Sequence, residues 1–334
     1  MNRKQIAIVT GGAGFIGSHL VDLLIKNNFI VRVIDDFSGG HEKNLKQHIN
    51  NNSLFVEKIN ICNLKNNHSI FKDVDYIYHF AGKGDIVPSI EQPYEYLNTN
   101  VLGTVNILEG AKNMNIKKFV YAASSSCYGL AETPTRETNK IQTLYPYALS
   151  KYQGEQCVMH WHRVYGLSTI SLRIFNAYGE RVRTTGAYGA VFGVFFKQKL
   201  EKKPFTVVGD GNQKRDFLYV KDVAKAFFAA SQSSKSGEIY NLGAGSPQTI
   251  NKLVELIGNE NGKINIPERP GEPNCTWADI TKIKKDLNWF PEISFDEGVS
   301  LMMKTIDEWK DAPLWDTDSI EEATKTWFKF MKQN

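Results

Sequence analysis

Short apolar runs alternate with amphipathic stretches through the first half of the chain. Ile6–Val9, Ile30–Ile34, Tyr76–Phe80, Phe119–Ala123 and Thr169–Arg173 read as buried strands. Between them, Phe15–Lys26, Tyr94–Met114 and Pro146–Tyr165 read as helices long enough to cross from one parallel strand to the next. The pattern predicts an α/β fold with a doubly wound parallel sheet. Past Asn176 the alternation stops. A helix near Gly189–Leu200, a strand at Phe205–Val208 and a helix at Val220–Ala230 are expected there, then short helices at Gln248–Leu256 and Ile280–Leu287 separated by the Pro- and Gly-rich segment Pro267–Pro273. An amphipathic helix around Ser319–Met331 closes the chain, with Ile320, Ala323, Thr324, Trp327 and Met331 on one stripe and Asp318 or Ser319 as its cap.

Composition narrows the classes. The 334 residues are about twice a ~150-residue domain, so one large domain or two lobes are expected. With 42% hydrophobic and 23% charged residues the chain can bury real cores. Lys and Arg total 40 against 36 Asp and Glu, a scattered surplus of +4 that argues against a nucleic-acid binder. Cys62, Cys127, Cys157 and Cys275 lie far apart, without metal-ligand or disulfide-framework spacing. No signal-like apolar segment precedes Ile6 and no run approaches ~18 apolar residues, so a soluble cytoplasmic protein without a membrane partner is expected.

Candidate chemistry begins after the first strand. Thr10-Gly-Gly-Ala-Gly-Phe-Ile-Gly17 spaces Gly11, Gly14 and Gly17 by three and opens a helix, as a pyrophosphate-binding turn requires. The second strand ends in Asp35-Asp36, where a carboxylate bonds an adenosine ribose and repels a 2′-phosphate, favouring NAD over NADP. Tyr147 and Lys151 stand at i, i+4 on a helix opened by Pro146, so they share a face. An adjacent ammonium and a nicotinamide cation would both favour the Tyr147 phenolate. Ser124-Ser125-Ser126 closes a strand at the carboxyl edge of the sheet, where a Ser124 hydroxyl can relay a substrate proton.

In chain order, the first glycine motif, His79-Phe-Ala-Gly82, Asn100-Val-Leu-Gly-Thr104, Ser124-Ser-Ser-Cys-Tyr-Gly129, Tyr147-Ala-Leu-Ser-Lys151, Arg173-Ile-Phe-Asn-Ala-Tyr-Gly179 and Arg215-Asp-Phe-Leu-Tyr-Val220 resemble the extended short-chain dehydrogenase/reductases of the nucleotide-sugar epimerase/dehydratase branch. The likeness covers roughly residues 5–310. It implies a Rossmann NAD-binding domain at 1–175, with a segment of about 215–245 returning to it, and a smaller C-terminal α/β lobe at 176–214 and 246–310 for a nucleoside-diphosphate sugar. Residues 311–334 extend past the usual end of the family as a helical segment, either packed on their own lobe or adding a subunit contact. A homodimer packed through the helices around Asn100–Met114 and Tyr147–Tyr165 is implied too.

Site residues follow from the same likeness. NAD contacts are implied for Phe15 and Ile16 in the glycine loop, for Asn60 and Ile61 at the adenine, for Phe80, Ala81 and Gly82, and for Asn100. Asn60 stands where the family commonly has aspartate, and its amide oxygen can still accept. Val87 with Gly84, Ile86 and Ser89 would line the sugar side, joined by Ser125 and Ser126, while Arg215, Arg269 and Asn176 would bind the diphosphate. Lys83-Gly84-Asp85 is unlike the galactose epimerases and leaves room for an unusual sugar. Thr276, before Trp277-Ala-Asp279, replaces a bulky residue that excludes N-acetyl groups; it either widens the pocket or only packs with its hydroxyl satisfied nearby. His79, His160 and His162 are not in a ligand-spaced cluster and are given structural roles, with no metal site.

Within the branch, the dehydratases follow the Ser124 position with an Asp-Glu pair and the decarboxylases with a glutamate. Here Ser125-Ser126 stands instead, most like the 4-epimerases. The expected activity is therefore NAD-dependent C4 epimerisation of a UDP-glucose/galactose or UDP-GlcNAc/GalNAc type sugar through a 4-keto intermediate, in polysaccharide biosynthesis. The alternatives are a 4,6-dehydratase, a C4 dehydrogenase, or a non-catalytic NAD-binding protein, which would have lost Tyr147 or Lys151.

Overall fold

The computed structural model describes residues 3–184 and 191–331. Seven parallel strands form one sheet: β1 (Ile6–Thr10), β2 (Ile30–Asp35), β3 (Leu54–Lys58), β4 (Tyr76–His79), β5 (Lys118–Ser124), β6 (Thr169–Ile174) and β7 (Glu238–Leu242). Their order is β7-β6-β5-β4-β1-β2-β3, the doubly wound Rossmann arrangement expected from the alternating pattern. The chain reverses direction across the sheet between β1 and β4, and the carboxyl ends there are where such sheets bind ligands.

Helices cover both faces, which is why the central strands read as unbroken apolar runs. Within β1, Ala7 and Val9 join a core with Leu20, Val33, Tyr78 and Phe227, while Ile8 points to the opposite core with Ile77, Phe119 and Val158. β7 arrives after the helix Val220–Gln232 and pairs with β6, Tyr240 opposite Leu172.

Several expectations shift on inspection. The span read as one helix at Tyr94–Met114 is Pro93–Leu97, a π turn at Asn98–Leu102 and Gly103–Lys112; the wider turn sits where Asn100 reaches across to the backbone of Lys83. The helix expected near Gly189–Leu200 is described over Val191–Leu200, and its first residues, like Tyr188, lie outside the described residues. Phe192, Phe195 and Phe196 are core, packed with Phe217, Phe295 and Trp309. The short helix after Gln248 runs Ile250–Ile257, capped by Thr249, whose side chain accepts from Lys252 N at 3.0 Å. Lys263–Ile266, pairing with Phe205–Val208, and the helix Phe295–Met303 were not anticipated.

The closing helix spans Thr317–Met331 and buries Ile320, Thr324, Trp327 and Met331. Its cap is Asp316, not Asp318 or Ser319. Asp316 Oδ1 accepts from Ser319 N and Asp316 N donates to Ser319 Oγ, both at 2.9 Å, a reciprocal capping box. Among the described residues, no helix is long and apolar enough to cross a membrane.

Candidate active site

At the carboxyl edge of the sheet a cleft of about 1070 Å³ runs from the glycine loop to the smaller lobe. Ligand pockets commonly span ~300–1000 Å³, so this cleft lies at the large end of that range. One end is built by β1 and its loop. Gly11 has φ +66°, and a Cβ there would lie 2.8 Å from Ala81 N; a Cβ on Gly17 would lie 2.2 Å from Gly11 O. Glycine is therefore required at both positions, and the bare backbone forms the cradle that a pyrophosphate needs at a helix N-terminus. Phe15, Ile16, Phe80, Ala81 and Gly82 line the same end. The residues present thus fit NAD.

The two aspartates divide their work. Asp35 accepts from Ala13 N and Phe37 N, both at 2.9 Å, and so locks the glycine loop onto β2; its burial raises its carboxyl pKa. Asp36 is less buried and accepts from Ser38 and from Asn60 Nδ2 at 2.8 Å. Asn60 Oδ1, offered to adenine by sequence reasoning, accepts from Cys62 N at 2.8 Å and keeps one lone pair for a ligand.

Pro146 starts the helix Pro146–Tyr165, which presents Tyr147 and Lys151 to the cleft. Burial raises the Tyr147 hydroxyl above the usual phenol range; its hydrogen bond with Ser124 opposes this and the Asp85 charge adds to it. The Ser124 hydroxyl is also 2.8 Å from Ser126 Oγ. Lys151 is buried, its Nζ lies 4.6 Å from the Tyr121 ring centroid, and burial lowers its pKa to about 8. The expected lowering of the Tyr147 pKa by Lys151 is therefore not met in the chain alone, where burial of the phenol dominates.

The site residues expected from the sequence line this cleft except Asn100 and Ser89, whose buried hydroxyl donates to Ile86 O at 2.6 Å. Asn100 is buried and its amide is engaged elsewhere: Oδ1 accepts from Lys83 N at 2.8 Å, and Nδ2 donates to Lys83 O and Ser150 Oγ. It holds the 83 loop to the catalytic helix rather than facing the cleft. His79 is structural, clamped between Thr10 Oγ1 at 2.6 Å and Thr104 Oγ1 at 2.9 Å, and burial lowers its pKa to about 3.

The smaller lobe closes the other end. Arg215 Nη2 donates to Glu272 Oε1 at 2.6 Å, and Arg269 lies 3.6 Å from Glu272 Oε2, so one carboxylate spans both guanidiniums. Asn176 Oδ1 accepts from the Thr276 hydroxyl at 2.7 Å, which also accepts from Asp216 N at 3.1 Å. Thr276 lines the cleft with its hydroxyl satisfied by these bonds. Asp216, buried, accepts from Ala244, Gly245 and Ala278 N–H groups and fixes the loops that carry these residues.

Sequence reasoning did not place Glu272, Tyr145 and Trp327 in the cleft; it put Asp85 on the sugar-facing loop but missed Arg183, whose Nη2 donates to Asp85 Oδ2 at 2.6 Å. Glu272 was visible in Arg269-Pro-Gly-Glu and Tyr145 two residues before Tyr147, but nothing local aims either at a ligand.

Residues 7–243 match the model of the NAD dependent epimerase/dehydratase family. A putative UDP-glucose 4-epimerase of Methanocaldococcus jannaschii is 39% identical over 308 residues, covering 87% of this chain and 95% of that one. The structure of a UDP-N-acetylglucosamine 4-epimerase from Methanobrevibacter ruminantium, in complex with UDP-N-acetylmuramic acid, superposes with TM-score 0.87 at 32% identity, over 92% of this chain and 99% of that one. A UDP-glucuronic acid 4-epimerase from Bacillus cereus, in complex with UDP-glucuronic acid and NAD, gives TM-score 0.84 at 31% identity, over 91% of this chain and 99% of that one. With the glycine cradle and the Ser124, Tyr147 and Lys151 constellation in one cleft, the chain belongs to the NAD dependent epimerase/dehydratase family.

Proposed function

We propose that the protein is a 4-epimerase of UDP-sugars, the observation carrying this being the hydroxyl-only turn Ser125-Ser126 beside Ser124 and Tyr147. Elimination across C5 and C6 needs an acid and a base with pKa values near the operating pH, which serine hydroxyls lack. Asp85, the carboxylate whose charge acts on Tyr147, is tied to Arg183. The chain's residues then act as follows. Tyr147 takes the C4 hydroxyl proton, with Ser124 relaying, and later returns it. Lys151, protonated at neutral pH by its pKa of about 8, holds positive charge beside Gly82 in the loop after β4. Gly11, Gly14 and Gly17 cradle the cofactor pyrophosphate, and Arg215, Arg269 and Asn176 hold the substrate diphosphate while the 4-keto sugar turns. NAD, held at the glycine loop, would supply reversible hydride chemistry at C4. Incubation with UDP-glucose, UDP-galactose and their N-acetyl counterparts, followed by proton NMR, should show C4 inversion of at least one; a stable 4-keto product would overturn the reading.

Sugar choice rests on Thr276. Tyrosine there would thrust a ring into the cleft and break the bond to Asn176, so Thr276→Tyr should lower kcat/KM for UDP-GlcNAc by about 10- to 100-fold relative to UDP-glucose. Steady-state assays of both sugars check it, and an unchanged ratio would mean Thr276 only packs.

The lobe division expected above, 1–175 with about 215–245 against 176–214 with 246–310, is part of the proposal, supported by β7 pairing with β6 and by separate apolar cores. So is a homodimer, supported by Tyr94, Leu102, Leu149, Val164 and Tyr165, all exposed on the helical stretch from 93 to 112 and on Pro146–Tyr165. Sedimentation should give about twice the 37.8 kDa chain mass, and a single-chain mass would refute the dimer. A cytoplasmic place in polysaccharide biosynthesis completes the reading.

A further inference from the structure

The extension at 311–331 does not simply pack on its own lobe. Its first turn is anchored in the smaller lobe, where Ile320 joins the core of Phe192, Phe196 and Trp309. Its last turns lie against the first lobe: Thr326 Oγ1 donates to Glu91 Oε1 at 3.0 Å, and Trp327 and Met331 cluster with Val87, Leu144 and Tyr145. The helix therefore crosses from one wall of the cleft to the other, and Trp327 lines the cleft at the crossing.

Trp327 is 4% exposed and touches both walls. On one side its indole N–H donates to Pro270 O at 2.8 Å, and the Arg269 guanidinium stands over its ring, 6.0 Å from the centroid. On the other its ring meets Tyr145 at 6.0 Å, and Tyr145 stacks on Tyr147 at 6.4 Å with the planes 6° apart. A long flexible arginine loses rotamer freedom when it binds phosphate oxygens, so a partner that holds it in place beforehand strengthens binding. Indole is the best aromatic partner for a guanidinium, and the bond to Pro270 fixes the loop that carries Arg269.

We propose that Trp327 is a positioning residue of the nucleotide-sugar site, holding Arg269 for the diphosphate and bracing Tyr145 beside Tyr147, so that the C-terminal helix is a working wall of the cleft. This rests on the reading of the cleft as a nucleotide-sugar site, and the test separates the two. Calorimetric titration of the NAD-loaded protein with UDP reads the diphosphate end without the C4 chemistry. Trp327→Ala should weaken UDP at least tenfold, and Trp327→Phe, which keeps a ring against Arg269, should stay within threefold. If Trp327 acts through Arg269, the double variant Trp327→Ala, Arg269→Ala should bind no more than threefold weaker than Arg269→Ala alone. Should Trp327→Ala fail to fold, Trp327→Leu keeps the cluster apolar without ring or N–H and carries the same expectation. UDP affinity unchanged in Trp327→Ala or Trp327→Leu, or multiplicative losses in the double variant, would overturn the proposal while the site reading stands. No UDP binding by the wild type would overturn both.

Discussion

Tyr147→Phe should lower kcat by about three orders of magnitude or more while NAD content and nucleotide-sugar binding persist, because phenylalanine keeps the ring and deletes the hydroxyl that takes and returns the C4 proton. General acid–base groups are worth ~10²- to 10⁴-fold, and here one hydroxyl serves both the removal and the return of the proton. The phenol is buried and hydrogen-bonded to Ser124, so its loss leaves that hydroxyl one partner fewer without opening a cavity. In the chain alone burial holds Tyr147 protonated, and Lys151, at about 8, remains mostly charged at pH 7. The sign follows: raising the pH through about 8 strips the ammonium and removes the positive charge that would support a phenolate once substrate and cofactor are in place. Rapid-quench and equilibrium-binding measurements check the variant. A loss confined to KM would mean Tyr147 only shapes the site.

Arg173→Met should destabilise the fold by about 3–5 kcal/mol, the cost of leaving a buried charge unpaired. Glu155, one turn beyond Lys151 on the catalytic helix, meets Arg173 of β6 with Oε1 to Nη2 at 2.6 Å and Oε2 to Nε at 3.0 Å, and the side chains are 1% and 4% exposed. Ser171 Oγ donates to Glu155 Oε2, Arg173 Nη1 donates to Tyr128 OH at 2.7 Å, and that hydroxyl donates to Asn241 Oδ1 of β7. The network thus pins the helix that carries Tyr147 and Lys151 to two strands. Urea unfolding should show the loss at 25 °C; a change under about 1 kcal/mol would mean the pair relaxes into water once broken.

Much of the sheet was legible in the sequence because its strands are buried on both faces and its helices have room to complete several turns. Gly11, Gly14 and Gly17 were legible for a different reason, since backbone crowding excludes side chains at such a turn. Tyr147 and Lys151 were legible through helical spacing. The chain just past Asn176 was not: Ala177–Tyr178, Lys214–Arg215 and Leu218–Tyr219 are strands of two residues, too short to carry a period. Asn100 carried a motif but no sign that its amide turns to Lys83. Trp327 was correctly read as part of an apolar stripe, yet which surface a stripe meets is set by how the whole chain folds. Arg215, which meets Glu272, and Asp85, which meets Arg183, are likewise 57 and 98 residues from those partners in sequence.

The central claim is that a hydride leaves C4 and returns to the same carbon within one closed site. A UDP-sugar substrate carrying deuterium at C4, turned over in ordinary water, tests this most directly by mass spectrometry of the C4-inverted product. The account predicts full retention of the label at C4. Loss of deuterium to solvent, or a product with unchanged C4 configuration, would contradict it.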